Sequence, residues 1–242
     1  MRLTRVYVEE ALAVGQSFNI EGPAVNHIMR VLRLRDGEAL TLFDGRGGEF
    51  GARITGFTKN SVKVDVKEHR DVECESALDL TLAQGISRGE RMDWVMQKAT
   101  ELGVTRIIPV VTERTMVKLD ERQAERKLEH WRGIVVSACE QCGRNRVPEV
   151  TLPVSFYDAI TKIDRSVTRV LLSPEGTIRA RDLQQPTHVA MLIGPEGGLS
   201  EKEQDAALSI GFQPLRMGPR ILRTETAAIA ALAALQHDFG DL

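Results

Sequence analysis

From residue 78 onward, short apolar runs alternate with amphipathic ones, and this alternation limits the possible folds more than any other feature of the chain. "LDLTLAQGI" (78–86), "VTRIIPVV" (104–111), "VLLS" (170–173), "HVAMLI" (188–193) and "FQPLRM" (212–217) read as strands. Between and after them lie helical patterns: "RGERMDWVMQKATELG" (88–103), a long segment from about Glu121 to Gly143, a stretch after Ser200, and a last one from about Thr224. In the first of these, Met92, Val95, Ala99 and Leu102 share one face and Gly103 supplies the stop. Strands that are apolar almost throughout, each followed by a helix, predict a mostly parallel sheet covered on both faces.

Residues 1–72 obey a different pattern. "RVYV", "QSFNIE", "EALTLFD", "EFGARITGF" and "SVKVDVKE" are short, alternating or β-branched, with glycine, aspartate and asparagine turns between them. They predict a small barrel, interrupted by one helix at 24–34 with Val25, Ile28, Val31 and Leu32 as its buried stripe. His27, Arg30 and Arg33 then fall on another, basic face, which Arg35 extends. The polar stretch "HRDVECESA" (69–77) lacks an apolar period, so the expected division is 1–72 and 73–242.

Charge excludes little, because Lys and Arg number 11 against 10 acids in 1–72 and 21 against 24 in 73–242. Only local clusters can speak for nucleic acid. The first residues lack an apolar signal-peptide core, and the run "AAIAALAAL" (227–235) is far short of a membrane span, so a cytoplasmic protein without membrane attachment is expected. Three cysteines, Cys74, Cys139 and Cys142, make neither a disulfide framework nor a zinc site; reduced thiols and no metal are expected.

Two turns carry candidate chemistry. "LIGPEGGLSEKE" (192–203) runs from a strand through Gly194, Gly197 and Gly198 into a helix, the layout of a nucleotide site, yet it matches neither the Walker loop nor the dinucleotide fingerprint. Glu196 would repel a polyphosphate while favouring a cation or the donors of a ribose or an amide. A phosphate-free nucleoside fits, and S-adenosylmethionine is one. The plainer alternative is a simple turn in which Ser200 and Glu203 form a capping box; it leaves Glu196 and the glycines unexplained. At the next strand end, "LRMGPRILRTETAAIAALAAL" leads through Gly218 and Pro219 into a helix. There Ala227, Ala230, Ala231 and Ala234 give either a smooth face for close approach or simply high helix propensity.

These two segments, with "QKATELGVTRIIPV", "ACEQCGRNRVPEV" and "HIMRVLRLRDGE", resemble the RsmE family, which methylates N3 of one uridine in small-subunit ribosomal RNA. The resemblance spans essentially the whole chain; Cys142 stands where serine is expected and Met217 where leucine is commoner. It implies a PUA-like barrel followed by a SPOUT-type α/β domain whose C-terminal segment makes a trefoil knot, a homodimer, and S-adenosylmethionine held between three loops. Carried over by position, those loops hold Leu171 and Leu172, then Ile193, Gly194, Glu196 and Gly198, then Leu215, Met217, Gly218, Ile221 and Leu222.

Methyl transfer to an imide nitrogen needs alignment and either a base for the N3 proton or donors for the anionic ring. Glu225 and Glu140 are the candidate bases, with a helix-end carboxylate and a solvated face as their alternatives. Arg144, Arg146 and Arg223 are candidate donors. The RNA contacts expected are His27, Arg30, Arg33, Arg35, Arg144, Arg146 and Arg223. A silent assembly factor for the small ribosomal subunit, or a SPOUT enzyme acting on another RNA, are the competing readings.

Overall fold

The computed structural model describes residues 4–116 and 119–242. The chain forms two compact units, residues 1–75 with 136–147 and residues 76–135 with 148–242. Residues 136–147 therefore pack with the first region, although the patterned sequence placed them in the second. The reason is side-chain chemistry: Glu140, Arg144 and Asn145 hydrogen-bond to the first strand or to the linker at 72–75.

The first unit is a five-stranded sheet in the order β1 (Arg5–Tyr7), β3 (Ala39–Phe43), β4 (Glu49–Phe57), β5 (Val62–Arg70), β2 (Ser17–Ile20). Its pairings are antiparallel except β1 with β3. Alternation along β5, where Val62, Val64 and Val66 point inward, gives the sheet one apolar face; this encloses a core with Ile20, Leu40, Leu42 and Ile54. Between β2 and β3 the chain makes a short helix, α1 (Pro23–Asn26), that widens into a π-helical turn over His27–Leu32 and ends on Arg33 in the left-handed conformation, φ 55°. Val25 and Ile28 are buried as the stripe predicted. Val31 is exposed instead, because i→i+5 winding moves it off a face laid out for 3.6 residues per turn.

The second unit is a parallel sheet in the order β12 (Gln213–Leu215), β10 (Thr168–Leu172), β11 (His188–Ile193), β6 (Asp79–Gly85), β7 (Arg106–Val111), β8 (Glu149–Val150), with β9 (Val154–Ser155) also on β7. Both faces of the central strands are buried. Ala190 and Leu192 of β11 join Phe156 and Ile160 of α4 (Phe156–Lys162) and Ala207 of α5 (Glu201–Ser209) in one core. The opposite face carries α2 (Glu90–Glu101) and α6 (Thr224–Phe239), which pack on each other. Met92, Val95 and Ala99 are buried on α2 as expected, and Gly103 ends the helix region at φ 79°. The long helix α3 (Glu121–Cys142) runs from the second unit into the segment that packs with the first.

One local arrangement at the sheet edge bears on the site. Strand β12 pairs with β10 on one side, and on the other Leu215 bridges Ile178; Thr177 N donates to Pro214 O and Arg216 N to Ile178 O. Residues 168–178 are continuous, so one stretch of chain flanks β12 on both sides. Gly176 permits this, because a Cβ there would lie 2.6 Å from Pro214 O.

Candidate active site

Parallel strands place their C-terminal ends along one rim, the side where open α/β sheets bind ligands. Here β12, β10, β11 and β6 are neighbours, so the loops after Leu215, Leu172, Ile193 and Gly85 come together. Gly85 lets the last two touch: a side chain there would collide with the backbone of Gly194 and Pro195. The glycine turn closes on itself through Gly198 N donating to Pro195 O at 2.9 Å, with Gly198 at φ 70°. Beyond it Ser200 and Glu203 form the expected capping box, and Glu203 Oε1 also accepts from Glu113 N at 2.8 Å.

Glu196 does not stand free in this turn. Its Oε1 accepts from Arg88 N and from Arg91 Nη1, both at 2.9 Å. Partial burial pushes its carboxyl up, but the Arg88 N–H and the Arg91 guanidinium outweigh this and hold it below the ordinary range. Glu196 is thus a clamp from the glycine turn to the start of α2, and its charge is matched inside the unit. Arg114 adds a second clamp, Nη1 to Gly197 O at 2.9 Å.

Arg91 also faces Glu225, Nε to Oε1 at 4.0 Å. Glu225 lies in the first turn of α6, where the helix dipole favours a carboxylate, and is buried; its Oε2 has no hydrogen-bond partner. The residue before it, Thr224, donates from Oγ1 to Gly194 O at 2.7 Å and accepts from Gln84 Nε2 at 2.9 Å. Gln84 is fully buried and its Oε1 is likewise unpartnered. Two buried acceptors without donors, on elements joined through Thr224, make a place that a donor-bearing ligand would satisfy.

The loop residues divide by exposure. Leu171, Ile193 and Leu215 are buried strand core. Leu172, Gly194, Gly198, Met217 and Leu222 are half-buried at the rim; Gly218, at φ 76°, and Ile221, 85% exposed, lie outside it. Among the described residues the backbone N–H groups of Met217, Gly218, Ile221 and Leu222 have no partner in the chain, so this loop keeps hydrogen-bonding capacity for a planar polar edge. Together with the orphaned acceptors, these donors fit a nucleoside carrying an amine, as S-adenosylmethionine does.

Arg144 differs from its expected role. It is 3% exposed and forms a two-point bond to Glu75, Nε to Oε1 at 3.0 Å and Nη2 to Oε2 at 2.6 Å. Its carbonyl accepts from Arg5 Nη2, which also reaches Asn145 Oδ1. A planar guanidinium matched to a carboxylate inside the first unit is an anchor, with no face left for RNA or substrate. Glu140 is similar: Oε1 accepts from Tyr7 N at 3.1 Å and Oε2 lies 4.0 Å from His27. Burial raises its carboxyl despite the Tyr7 N–H, His27 and Arg5. Arg30, Arg33, Arg35 and Arg146 are exposed in the first unit, and Arg223 is exposed at the start of α6 in the second. Among the described residues no group of three His, Cys, Asp or Glu side chains could hold a metal ion, and no helix is long and apolar enough to cross a membrane.

Thr224 was singled out by the sequence only as the start of a helix, and Gln84, Arg88 and Arg91 were not singled out. Their signal was the turn "QGISRGER", but its meaning depends on β6 lying beside β11, and strand order is not written in a strand's own residues.

Residues 74–236 match the RNA methyltransferase domain family, and residues 20–67 match the RNA methyltransferase PUA domain. The ribosomal RNA small subunit methyltransferase E of Buchnera aphidicola is 34% identical over 242 residues, covering 100% of this chain and 98% of that one. The chain belongs to the ribosomal RNA small subunit methyltransferase E family. The Bacillus subtilis member is 32% identical, with 98% and 94% covered. A family member from Neisseria gonorrhoeae, solved bound to S-adenosyl methionine, is 41% identical with TM-score 0.92 over 99% of both chains. A methyltransferase from Legionella pneumophila, solved with bound SAM, is 44% identical with TM-score 0.96 over 100% of both.

Proposed function

We propose that this chain transfers the methyl group of S-adenosylmethionine to N3 of one uridine in small-subunit ribosomal RNA, acting in the cytoplasm as a homodimer on the RNA or the assembling subunit. The observation that carries this reading is the rim where Gln84 Oε1 and Glu225 Oε2 lack donors beside a loop with unpaired backbone N–H groups. The cofactor, when bound, supplies a methyl carbon already activated by its sulfonium. Backbone groups of 217–222 read the adenine edge, and Leu172, Met217 and Leu222 cover its faces. Gln84 Oε1 takes the amine. Leu171, Ile193 and Leu215 support these residues from the core.

Glu225 is assigned the proton of uridine N3–H, with Oε2 as acceptor, so that the nitrogen lone pair is available as the methyl group arrives. Arg91 holds Glu225 and Glu196 together, and Arg223 stabilises the carbonyl oxygens of the ring. The first 72 residues serve as the RNA-binding PUA-like domain, through His27, Arg30, Arg33 and Arg35, and Arg146, which packs in the same unit, adds a further RNA contact. Residues 73–242 serve as the SPOUT domain, in which the C-terminal segment passing inside 168–178 forms the trefoil knot. Calorimetry with S-adenosylmethionine, followed by mass mapping of ribosomal RNA from cells lacking the protein, tests the reading. Micromolar to millimolar binding and loss of one N3-methyluridine are expected. Absence of heat up to millimolar cofactor, or an unchanged methylation map, overturns it.

A further inference from the structure

The first unit carries an open groove of about 300 Å³ lined by Met29, Leu34, Arg35, Asp36 and Phe57. We infer that this groove seats one unstacked base of single-stranded RNA, a contact separate from the methyl-transfer rim; the inference rests on the reading of RNA as substrate. Its lining has an aromatic ring and two flexible or branched apolar side chains: Phe57 and Leu34 pack inward on the barrel core, while Met29 is 39% exposed. Such surfaces accept flat apolar faces, and a base is flat and apolar on both sides.

The surroundings favour a polyanion as the rest of the ligand. Arg35 lines the groove, Arg30 and Arg33 are exposed next to its lining residues Met29 and Leu34 in the chain, and Arg53 is exposed with Nη1 donating to Gly37 O. Of the nearby acids, Asp36 lines the groove, while Glu38 is turned to the backbone, Oε2 accepting from Arg35 N at 2.6 Å. Phosphates beside a stacked base would meet the arginines.

The backbone is also built to present this edge. The π turn over His27–Leu32 and the left-handed Arg33 are both uncommon, and together they set the backbone path that carries Met29 and Arg30; Arg33 N and Leu34 N donate to the same Ile28 carbonyl. A duplex could use the arginines but not the apolar lining, because its base faces are already stacked.

The experiment uses the full chain and a fluorescent ten-nucleotide single-stranded RNA, with a duplex of the same sequence for comparison. Met29→Ala removes an exposed side chain, and Phe57→Leu keeps the inward packing while deleting the ring. Each is expected to weaken single-strand binding about tenfold with the salt slope unchanged. Arg30→Ala and Arg35→Ala are each expected to make the slope shallower by about one. Wild-type affinity in either apolar variant, or equal losses on duplex, overturns the inference. So does a changed sedimentation coefficient with RNA affinity intact, which would assign the groove to a second copy of the chain. Cofactor calorimetry on the same preparations separates the two readings: no heat in the wild type would sink the methyltransferase and leave the groove result standing.

Discussion

Two arginines, one paired with a single acid and one placed between two, do opposite things in this molecule. Arg144 is buried with Glu75 in the first unit, its guanidinium matched at two points and its own carbonyl taken by Arg5. Arg91, in the second unit, is half-exposed, bonds Glu196 at 2.9 Å and stands 4.0 Å from Glu225, whose other oxygen has no partner. The difference lies in what is left over. A guanidinium and a carboxylate matched at two points hold a fold, whereas a set that closes with a carboxylate oxygen in hand can still be read by a ligand.

The sharpest way to break this contrast is Arg144→Ala, which should cost about 3–5 kcal/mol in urea unfolding by leaving Glu75 unpaired in a largely buried place. A stable variant with weakened RNA binding would reverse the assignment. Next, Glu225→Gln should lower the methyl-transfer rate about 100-fold while S-adenosylmethionine affinity in calorimetry stays put. If both fall together, Glu225 belongs to binding and not to chemistry. Arg91→Gln should change stability by less than about 1 kcal/mol, since the pair is solvent-screened, yet reduce turnover; an unaltered rate would leave Arg91 as a clamp only.

A smaller effect concerns pH. Glu196 is held below its ordinary range in the folded chain, so its contribution to stability is full above about pH 4.3 and is lost as pH falls through the lower, folded value. Glu196→Gln should therefore flatten the acid limb of a stability curve by a few tenths of a kcal/mol. The smallest concerns thiols: Cys74 is exposed, whereas burial pushes Cys139 up to about 12. Iodoacetamide at pH 8 should label Cys74 and spare Cys139 until the chain unfolds.

Periodicity made the architecture legible. Strand β11 and the starts of α5 and α6 fall where the apolar runs and the Ser200 and Thr224 signals put them, because those are local properties. The π turn was not legible, since Val31 keeps helical spacing and only the winding displaces it. Nor was the partner of Glu196: an acid among glycines advertises a role, but its answering groups, Arg88 and Arg91, arrive from a strand end more than a hundred residues earlier. Arg144 misled for the same reason, because a basic residue after a helix looks solvated until Glu75 is brought to it.

The stretch of chain on both sides of β12 has a consequence for how the molecule comes to exist. Residues 213–215 pair with β10 on one edge and with Ile178 on the other, with Gly176 against Pro214, so both edges are satisfied only when the segment after Leu172 lies around β12. Pairing of segments distant in sequence is non-local, and non-local pairing slows folding. On the proposed reading, in which the loop after this strand holds the nucleoside, the cofactor site is complete only once the last strand is seated.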